Sequence, residues 1–292
     1  MKKEVWTPLK ILQWSVPYLT QKGIKTARLD AECLIAFALG IDRLKVYLQF
    51  DRPLNASELD RLRSFMKRRA NREPLQYIVG YREFYGHNFH VEPGVLIPRH
   101  ETEHLVETAL QYLKKSNWIS PKLLDLGTGS GCIAISIAKE WKVEVWGVDC
   151  SQKALDIAVE NAATLHPEGS YHWRPGNWFD ALTPDDPPKY NIIVTNPPYI
   201  SNLEKAELDH EISLFEPEEA LFAGEDGLKA YREICVNLYH RLTPGGIALL
   251  ELHSIQAQKI VKIFEDIPGA QKVIPDLQGL PRVLILETPT IH

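Results

Sequence analysis

Two short stretches carry residues whose types and spacing could do chemistry. Asn196-Pro197-Pro198-Tyr199 follows the apolar run YNIIVT, and Gly127-Thr128-Gly129-Ser130-Gly131 follows KLLDL. In the first, the Asn196 side-chain carbonyl and the Pro197 backbone carbonyl can each accept one N–H. Proline has a fixed φ and no N–H of its own, so the Pro-Pro pair presents these acceptors with little freedom left to lose. Two such acceptors suit a planar nitrogen bearing two hydrogens. An amide or aromatic amino nitrogen is a poor nucleophile because its lone pair is delocalised. Holding both N–H bonds turns its remaining face toward an electrophile and favours the positive charge that grows on it. Tyr199 would pack its ring against the planar group and help exclude water. The competing reading is a Pro-Pro turn that merely ends a strand.

Glycines at 127, 129 and 131 permit a tight turn whose backbone lies against a flat or anionic ligand group. The spacing is GxGxG, not the GxGxxG of dinucleotide sites, and such a turn alone can be purely structural. Asp149, about 20 residues further on, ends the run VEVWGVD, where an acidic side chain can accept both ribose hydroxyl protons. By itself that aspartate could instead cap the next helix together with Ser151. These two features leave a nicotinamide dehydrogenase conceivable. The NPPY stretch at the carboxyl end of a later strand shifts the reading to methyl transfer from a sulfonium donor to a planar nitrogen. No general base is required, because a methylated, positively charged nitrogen loses a proton readily.

The elements that must position these residues follow from pattern. From Lys122 onward strands and helices alternate: KLLDLG, a helix from Ser130, VEVWGVD, a helix from Ser151, YNIIVTN, a helix near 226–242, and GIALLEL. Apolar strand runs of this kind imply an α/β fold with a parallel sheet covered by helices on both faces. After a helix at 254–266, QKVIPDL and RVLILET read as a closing hairpin with one terminal strand antiparallel. Residues 1–75 instead show helical spacing, in Leu29, Cys33, Leu34 and Phe37 and again in Leu59, Leu62, Phe65 and Met66. Helix starts are expected at Thr7-Pro8 and at Asn55. Lys67-Arg68-Arg69 reads as a solvated helix end. Residues 76–98 form the expected linker, a β-hairpin turning at Glu92-Pro93-Gly94, and 99–292 the catalytic domain.

Composition limits the alternatives. The 292 residues are 45% hydrophobic and 24% charged, ordinary globular usage. No apolar run approaches the roughly 20 residues that cross a bilayer, and MKKEVWTPLK lacks a signal peptide's apolar stretch, so no membrane and a cytoplasmic location are expected. Four cysteines without CxxC spacing, and scattered His87, His90, His172 and His253, give no metal site, and Cys132 is expected in the core. Glu251, ending a strand, could be buried near the site or pair with Arg282. The net charge of -5 divides unevenly: residues 1–75 hold 15 Lys/Arg against 8 Asp/Glu, the remainder 18 against 30. Two surfaces with different partners are plausible.

Taken together, LDLGTGSG, VDCS, Trp178-Phe179, NPPY and FEPEEAL resemble the HemK/PrmC family of protein-(glutamine-N5) methyltransferases. PLQYIVGYREFYG and LIPRHETE, at 74–86 and 96–103, are similar to that family's linker and following helix entry, so the resemblance covers nearly the whole chain. It implies a Rossmann-like class I S-adenosylmethionine-dependent fold behind a small all-helical substrate-recognition domain. It also implies S-adenosyl-L-methionine as donor, S-adenosyl-L-homocysteine as product, no metal, and methylation of the glutamine in the Gly-Gly-Gln motif of class 1 peptide chain release factors. Carried over, Gly127, Thr128, Gly129, Ser130 and Gly131 cradle the methionine part, Asp149 holds the ribose and Trp178 lies near the adenine. Asn196, Pro197, Pro198 and Tyr199 bind the glutamine amide, with Asn196 also facing the donor. His100 stands where that family commonly has proline, and Asn177 where aspartate is usual.

Three other readings stay open. An adenine-N6 DNA methyltransferase would use NPPY on the exocyclic amine of a flipped base. Against it, Glu204, Glu207, Asp209, Glu211, Glu216, Glu218 and Glu219 crowd the segment after the motif beside Lys205 alone, a poor neighbour for a phosphate backbone. The bland reading of that acidic run is a solvated loop. Glutamine methylation of a ribosomal protein is a closer rival, and a catalytically idle adaptor on translation components a more distant one.

Overall fold

Thr7 opens the first helix as the Thr-Pro pair predicts, its hydroxyl accepting from the Lys10 N–H, and helix α1 runs over Pro8–Gln21. In the computed structural model, which describes residues 5–290, α1 packs with α2 (Ala27–Leu39), α3 (Arg43–Leu48) and α4 (Ala56–Ala70), and α5 (Leu75–Val79) packs with α2 and α4. Asn55 and Glu58 form a reciprocal capping box at the start of α4, each side chain accepting the other's backbone N–H at 2.9 Å. The buried face of α2 is Ala27, Ala31, Leu34, Ile35 and Ala38, whereas Leu29 and Phe37 are 43% and 40% exposed. The expected stripe is thus half right: Leu34 is fully buried and Cys33 half-buried, but Leu29 and Phe37 face outward, while the charged Asp30 and Glu32 are buried, so apolar spacing marks no single face. Arg69 also departs from expectation. It is buried, and it donates to Asp30 at 2.6 Å, to Glu211 at 2.7 Å and to the Glu73 carbonyl. Stripping one partner from such a buried charge typically costs about 3–5 kcal/mol.

These helices form one compact unit, which extends to Gly80 and takes in Asp209–Phe215; the second spans Tyr81–Leu208 and Glu216 onward. The second opens with β1 (Tyr81–Phe84) and β2 (His87–His90), an antiparallel pair. Tyr85 and Gly86, at φ 49° and 74°, make its two-residue turn, which suits strand twist. The turn expected at Glu92-Pro93-Gly94 exists but comes after the hairpin, and residues 75–79, partly assigned to the linker, are helical.

The chain continues through α6 (Glu103–Lys115), β3 (Lys122–Leu126), α7 (Cys132–Glu140), β4 (Glu144–Asp149), α8 (Gln152–Leu165), β5 (Ser170–Pro175) and β6 (Tyr190–Thr195). After α9 (His210–Phe215), which packs with the first unit, come α10 (Lys229–Leu238), β7 (Leu242–Glu251), α11 (Ala257–Ile263), β8 (Ala270–Pro275) and β9 (Pro281–Glu287). The seven-stranded sheet has the order β5-β4-β3-β6-β7-β9-β8. Its strands are parallel from β5 to β7, and β9 runs antiparallel between β7 and β8. The periodicity reading passes over β5, a half-exposed edge strand with no apolar run to mark it.

Side chains alternate across the sheet, so both faces are buried. Leu123, Ile192, Val194, Ile247 and Leu249 join α6 and α7 in one cluster. Leu124, Ile193, Ala248 and Leu250 join α10 and α11 in another. Each large aliphatic side chain so buried stabilises the fold by about 1.5–3 kcal/mol. Helix α7 starts at Cys132, two residues later than expected, because Gly131 precedes it in the left-handed region at φ 78°. A Cβ there would stand 2.7 Å from Ile135 Cδ1 and 3.3 Å from Ala158 Cβ. Gly131→Ala should therefore lower stability by about 1–3 kcal/mol in urea denaturation, and an unchanged midpoint would contradict this packing role.

Candidate active site

The glycine turn and the NPPY stretch leave adjacent strands at the same level. Parallel pairing sets Leu126 of β3 opposite Thr195 of β6, so Gly127 and Asn196 are the next residues out of the sheet. The buried Thr195 hydroxyl donates to the Leu126 carbonyl at 2.7 Å, tying the two strand ends together. The turn is also fastened to β4: the Gly127 and Thr128 N–H groups both donate to the Val148 carbonyl at 2.9 Å. The Gly129 N–H donates to Asp149 Oδ2 at 2.8 Å, and the Ser151 N–H to Asp149 Oδ1 at 2.9 Å. Burial raises the Asp149 carboxyl above the usual carboxylate range, while these backbone donors pull it back down.

A cavity of about 310 Å³ opens over these strand ends. Gly127, Thr128, Gly129, Ser130, Asp149, Trp178, Asn196 and Pro198 all line it; Gly131 does not, and supports α7 from below. Gly127 and Gly129 have positive φ, and a Cβ on Gly127 would point at the Trp178 ring, 3.6 Å away. Trp178 is itself held at φ 44°, a conformation that costs an aromatic residue about 1–3 kcal/mol and that clusters at functional sites. Its indole N–H donates to Glu233 at 2.8 Å, which orients the ring at the cavity wall. Asn177, the departure noted in the sequence, is exposed on the rim.

The NPPY residues divide between two cavities. Asn196 and Pro198 face the first, Pro197 is buried, and Tyr199 lines a second cavity of about 500 Å³ with Arg99, Glu251, His253 and Arg282. Tyr199 stacks on His253 with ring centroids 5.2 Å apart, and burial pushes its phenol up to about 12, so it stays protonated. The segment after the motif is pinned by pairing of Ile200 with Leu221 and Ala223.

Sequence reasoning missed the residues that hold Asn196. Its Nδ2 donates to the buried Thr102 hydroxyl at 3.1 Å, which leaves the Oδ1 end as the unbonded acceptor. Thr102 lies in the RHETE stretch, where no spacing rule singles out a threonine. Glu251 is buried, and Arg282 donates to Asp276 at 2.8 Å, so the pairing considered for these two residues is replaced by another. Glu216 overturns the solvated-loop reading at one position. It is buried, accepting from Arg99 at 2.6 Å and from the Ile97 N–H at 3.2 Å, and so braces the wall that carries Arg99 and Thr102.

The residues fit an S-adenosylmethionine-type donor. Each Asp149 oxygen takes one backbone N–H and keeps lone pairs for a ribose diol, Trp178 offers an aromatic wall, and the buried Ser130 hydroxyl has no hydrogen-bond partner among the described residues.

Comparison with known proteins gives the same direction. The PrmC N-terminal domain family matches residues 10–80, and the methyltransferase small domain family matches 92–219. The chain is 42% identical over 264 residues to the release factor glutamine methyltransferase of Geobacter sulfurreducens, covering 90% of each. It is 38% identical to that of Koribacter versatilis, over 94% of this chain and 96% of the relative. Among solved structures, the Thermus thermophilus 16S rRNA N2 G1207 methyltransferase superposes with a TM-score of 0.53 at 21% identity, covering 71% of this chain and 49% of that one, a likeness of fold. The sheet is thus that of a class I S-adenosylmethionine-dependent methyltransferase, and the chain belongs to the release factor glutamine methyltransferase family.

Proposed function

We propose that this chain transfers a methyl group from S-adenosyl-L-methionine to the side-chain amide nitrogen of the glutamine in the Gly-Gly-Gln motif of class 1 peptide chain release factors. The observation that carries this reading is the fixed polarity of Asn196: its N–H end is bonded to Thr102, leaving a carbonyl end to meet an incoming NH₂. A bound donor supplies an electrophilic methyl on a sulfonium centre. Asp149 and the Gly127–Gly129 backbone would hold that donor, with Trp178 as the wall for its base and Ser130 as a hydrogen-bonding group for its amino-acid part.

Asn196 Oδ1 and the Pro197 carbonyl each take one N–H of the glutamine amide, aiming the nitrogen lone pair at the methyl carbon. The N–C bond forms as the S–C bond breaks, and the nitrogen then releases one proton. Preorganised acceptors of this kind account for about 10²–10³ in rate per group. Tyr199, stacked on His253 in the second cavity, which shares Arg99 with the first, would cover the amide plane from that side and keep water out.

The helical residues 1–75 would recognise the protein substrate, residues 76–98 would act as linker and 99–292 would perform the transfer, in the cytoplasm where translation factors reside. Among the described residues no helix is long and apolar enough to cross a membrane. The acidic run after NPPY disfavours DNA: among the described residues no cation is bonded to Glu207 or Glu219, and the run's basic residue, Lys205, is taken by Glu218.

Mass spectrometry of a class 1 release factor after incubation with the chain and labelled donor should find one methyl on the Gly-Gly-Gln glutamine. Tight, salt-sensitive binding to duplex DNA with no mark on release factor would reverse the assignment. Asn196→Ala should lower kcat by about 10²–10³ with donor affinity nearly unchanged; unimpaired turnover would refute the acceptor role. Asp149→Ala should weaken donor binding by about tenfold to a hundredfold in calorimetry, the value of a lost charged hydrogen-bonding group. Wild-type affinity would remove it from the donor site.

A further inference from the structure

The second cavity adjoins the transfer site, sharing Arg99 with the donor cavity and taking Tyr199 from the NPPY stretch. Its volume of about 500 Å³ falls in the range of pockets that enclose a drug-sized ligand, more than one side-chain amide fills. One wall is the carboxyl end of β7, where Glu251 and His253 stand one residue apart. Leu252 between them is buried in the cluster beside α10 and α11, and its N–H donates to the Arg282 carbonyl at 2.7 Å. Alternation along this extended stretch turns Glu251 and His253 together to the other side.

Both residues keep hydrogen-bonding capacity that the fold does not use. Glu251 is 3% exposed, and its Oε2 has no hydrogen-bond partner among the described residues. The same holds for the buried Nδ1 of His253. Burial lowers the affinity of that ring for a second proton, and a neutral imidazole can carry its one hydrogen on Nδ1. A buried acceptor left without a donor is costly, and native folds rarely keep one without a use. A peptide unit supplies what both groups lack, an N–H for the carboxylate and a C=O for the imidazole N–H.

The rim of this cavity is acidic. Glu101, Glu204 and Glu207 are exposed on it, and among the described residues no cation forms an ion pair with any of them. Arg99 and Arg282 also line the cavity, but Arg99 is bonded to Glu216 at 2.6 Å and Arg282 to Asp276 at 2.8 Å, both carboxylates outside the lining. The rim carboxylates are thus left for a charge that arrives from outside.

We propose that the second cavity seats the polypeptide main chain beside the methylated glutamine: Glu251 and His253 hydrogen-bond one of its peptide units, and Glu101, Glu204 and Glu207 take a basic side chain on the same segment. The inference rests on the reading of a glutamine amide held by Asn196 and Pro197. Glu251 and His253 then act on substrate binding, whereas Asp149 and the glycine turn act on the donor. Main-chain recognition at this point also ties the reaction to a glutamine within a polypeptide.

The test measures kcat and KM for full-length class 1 release factor, together with calorimetric donor affinity, for the full chain and its variants at low and at physiological salt. Glu251→Met removes the carboxylate at similar length, and His253→Phe keeps a ring against Tyr199 while deleting Nδ1. The third variant combines Glu101→Gln, Glu204→Gln and Glu207→Gln, and glutamine at 204 can still accept the Ser201 N–H. Glu251→Met should raise KM by about tenfold to a hundredfold and His253→Phe by about threefold to tenfold, each with donor affinity unchanged. Wild-type KM should rise with salt, and the triple variant should lose that rise and start from a higher KM. Wild-type KM in both single variants, a loss confined to kcat, or a wild-type KM indifferent to salt overturns the proposal. Should Glu251→Met not fold, as failed donor binding would reveal, His253→Phe decides. A wild-type chain that leaves release factor unmethylated overturns the glutamine reading itself, a result distinct from an active enzyme whose KM ignores these variants.

Discussion

The site depends on one register. Leu126 lies opposite Thr195, and the Thr195 hydroxyl closes that pair by bonding the Leu126 carbonyl. In a parallel sheet a slip of one residue would turn every side chain of β6 to the other face, taking Ile193 and Val194 out of their separate cores. The two apolar clusters therefore hold the register, and the register holds Gly127 beside Asn196. Hydrophobic burial away from the cavity is converted in this way into the placement of the two loops that line it.

Around that frame the polar groups are few and committed. Asp149 fastens the glycine turn to β4, Glu216 fastens the Arg99 wall, and Thr102 fixes the Asn196 amide. Each is partly or fully withdrawn from water, where an unpaired group is costly and a paired one strongly orienting. The strained backbone of Trp178 has the same logic, since its indole is held by Glu233 at the cavity wall. Rigid placement suits a reaction in which the nucleophile is weak and no side chain has to remove a proton before attack.

Much of this was legible in the residues. The glycine turn, Asp149 and NPPY are local signals, each with a geometric reason for its residue types, and strand-helix alternation announces the sheet that aligns them. What escaped was set by tertiary context. The face of α2 that is buried could not be chosen from apolar spacing because Asp30 and Glu32 are buried with it, and Arg69 looked solvated until Asp30 and Glu211 met it from distant positions. Strand β5 hides because an edge strand needs no apolar run. Thr102 lies 94 positions from Asn196 in sequence, and nothing local marks it as the support of that amide. Glu216 was hidden among six other carboxylates, and only its burial distinguishes it.

The most direct measurement is a crystal structure of the chain with S-adenosyl-L-homocysteine and a peptide carrying the Gly-Gly-Gln glutamine. The account requires Asn196 Oδ1 and the Pro197 carbonyl each at about 2.7–3.2 Å from the glutamine nitrogen, whose free face looks toward the donor sulfur. An asparagine presenting its NH₂ to that nitrogen, or a glutamine seated away from the strand ends of β3 and β6, would contradict it.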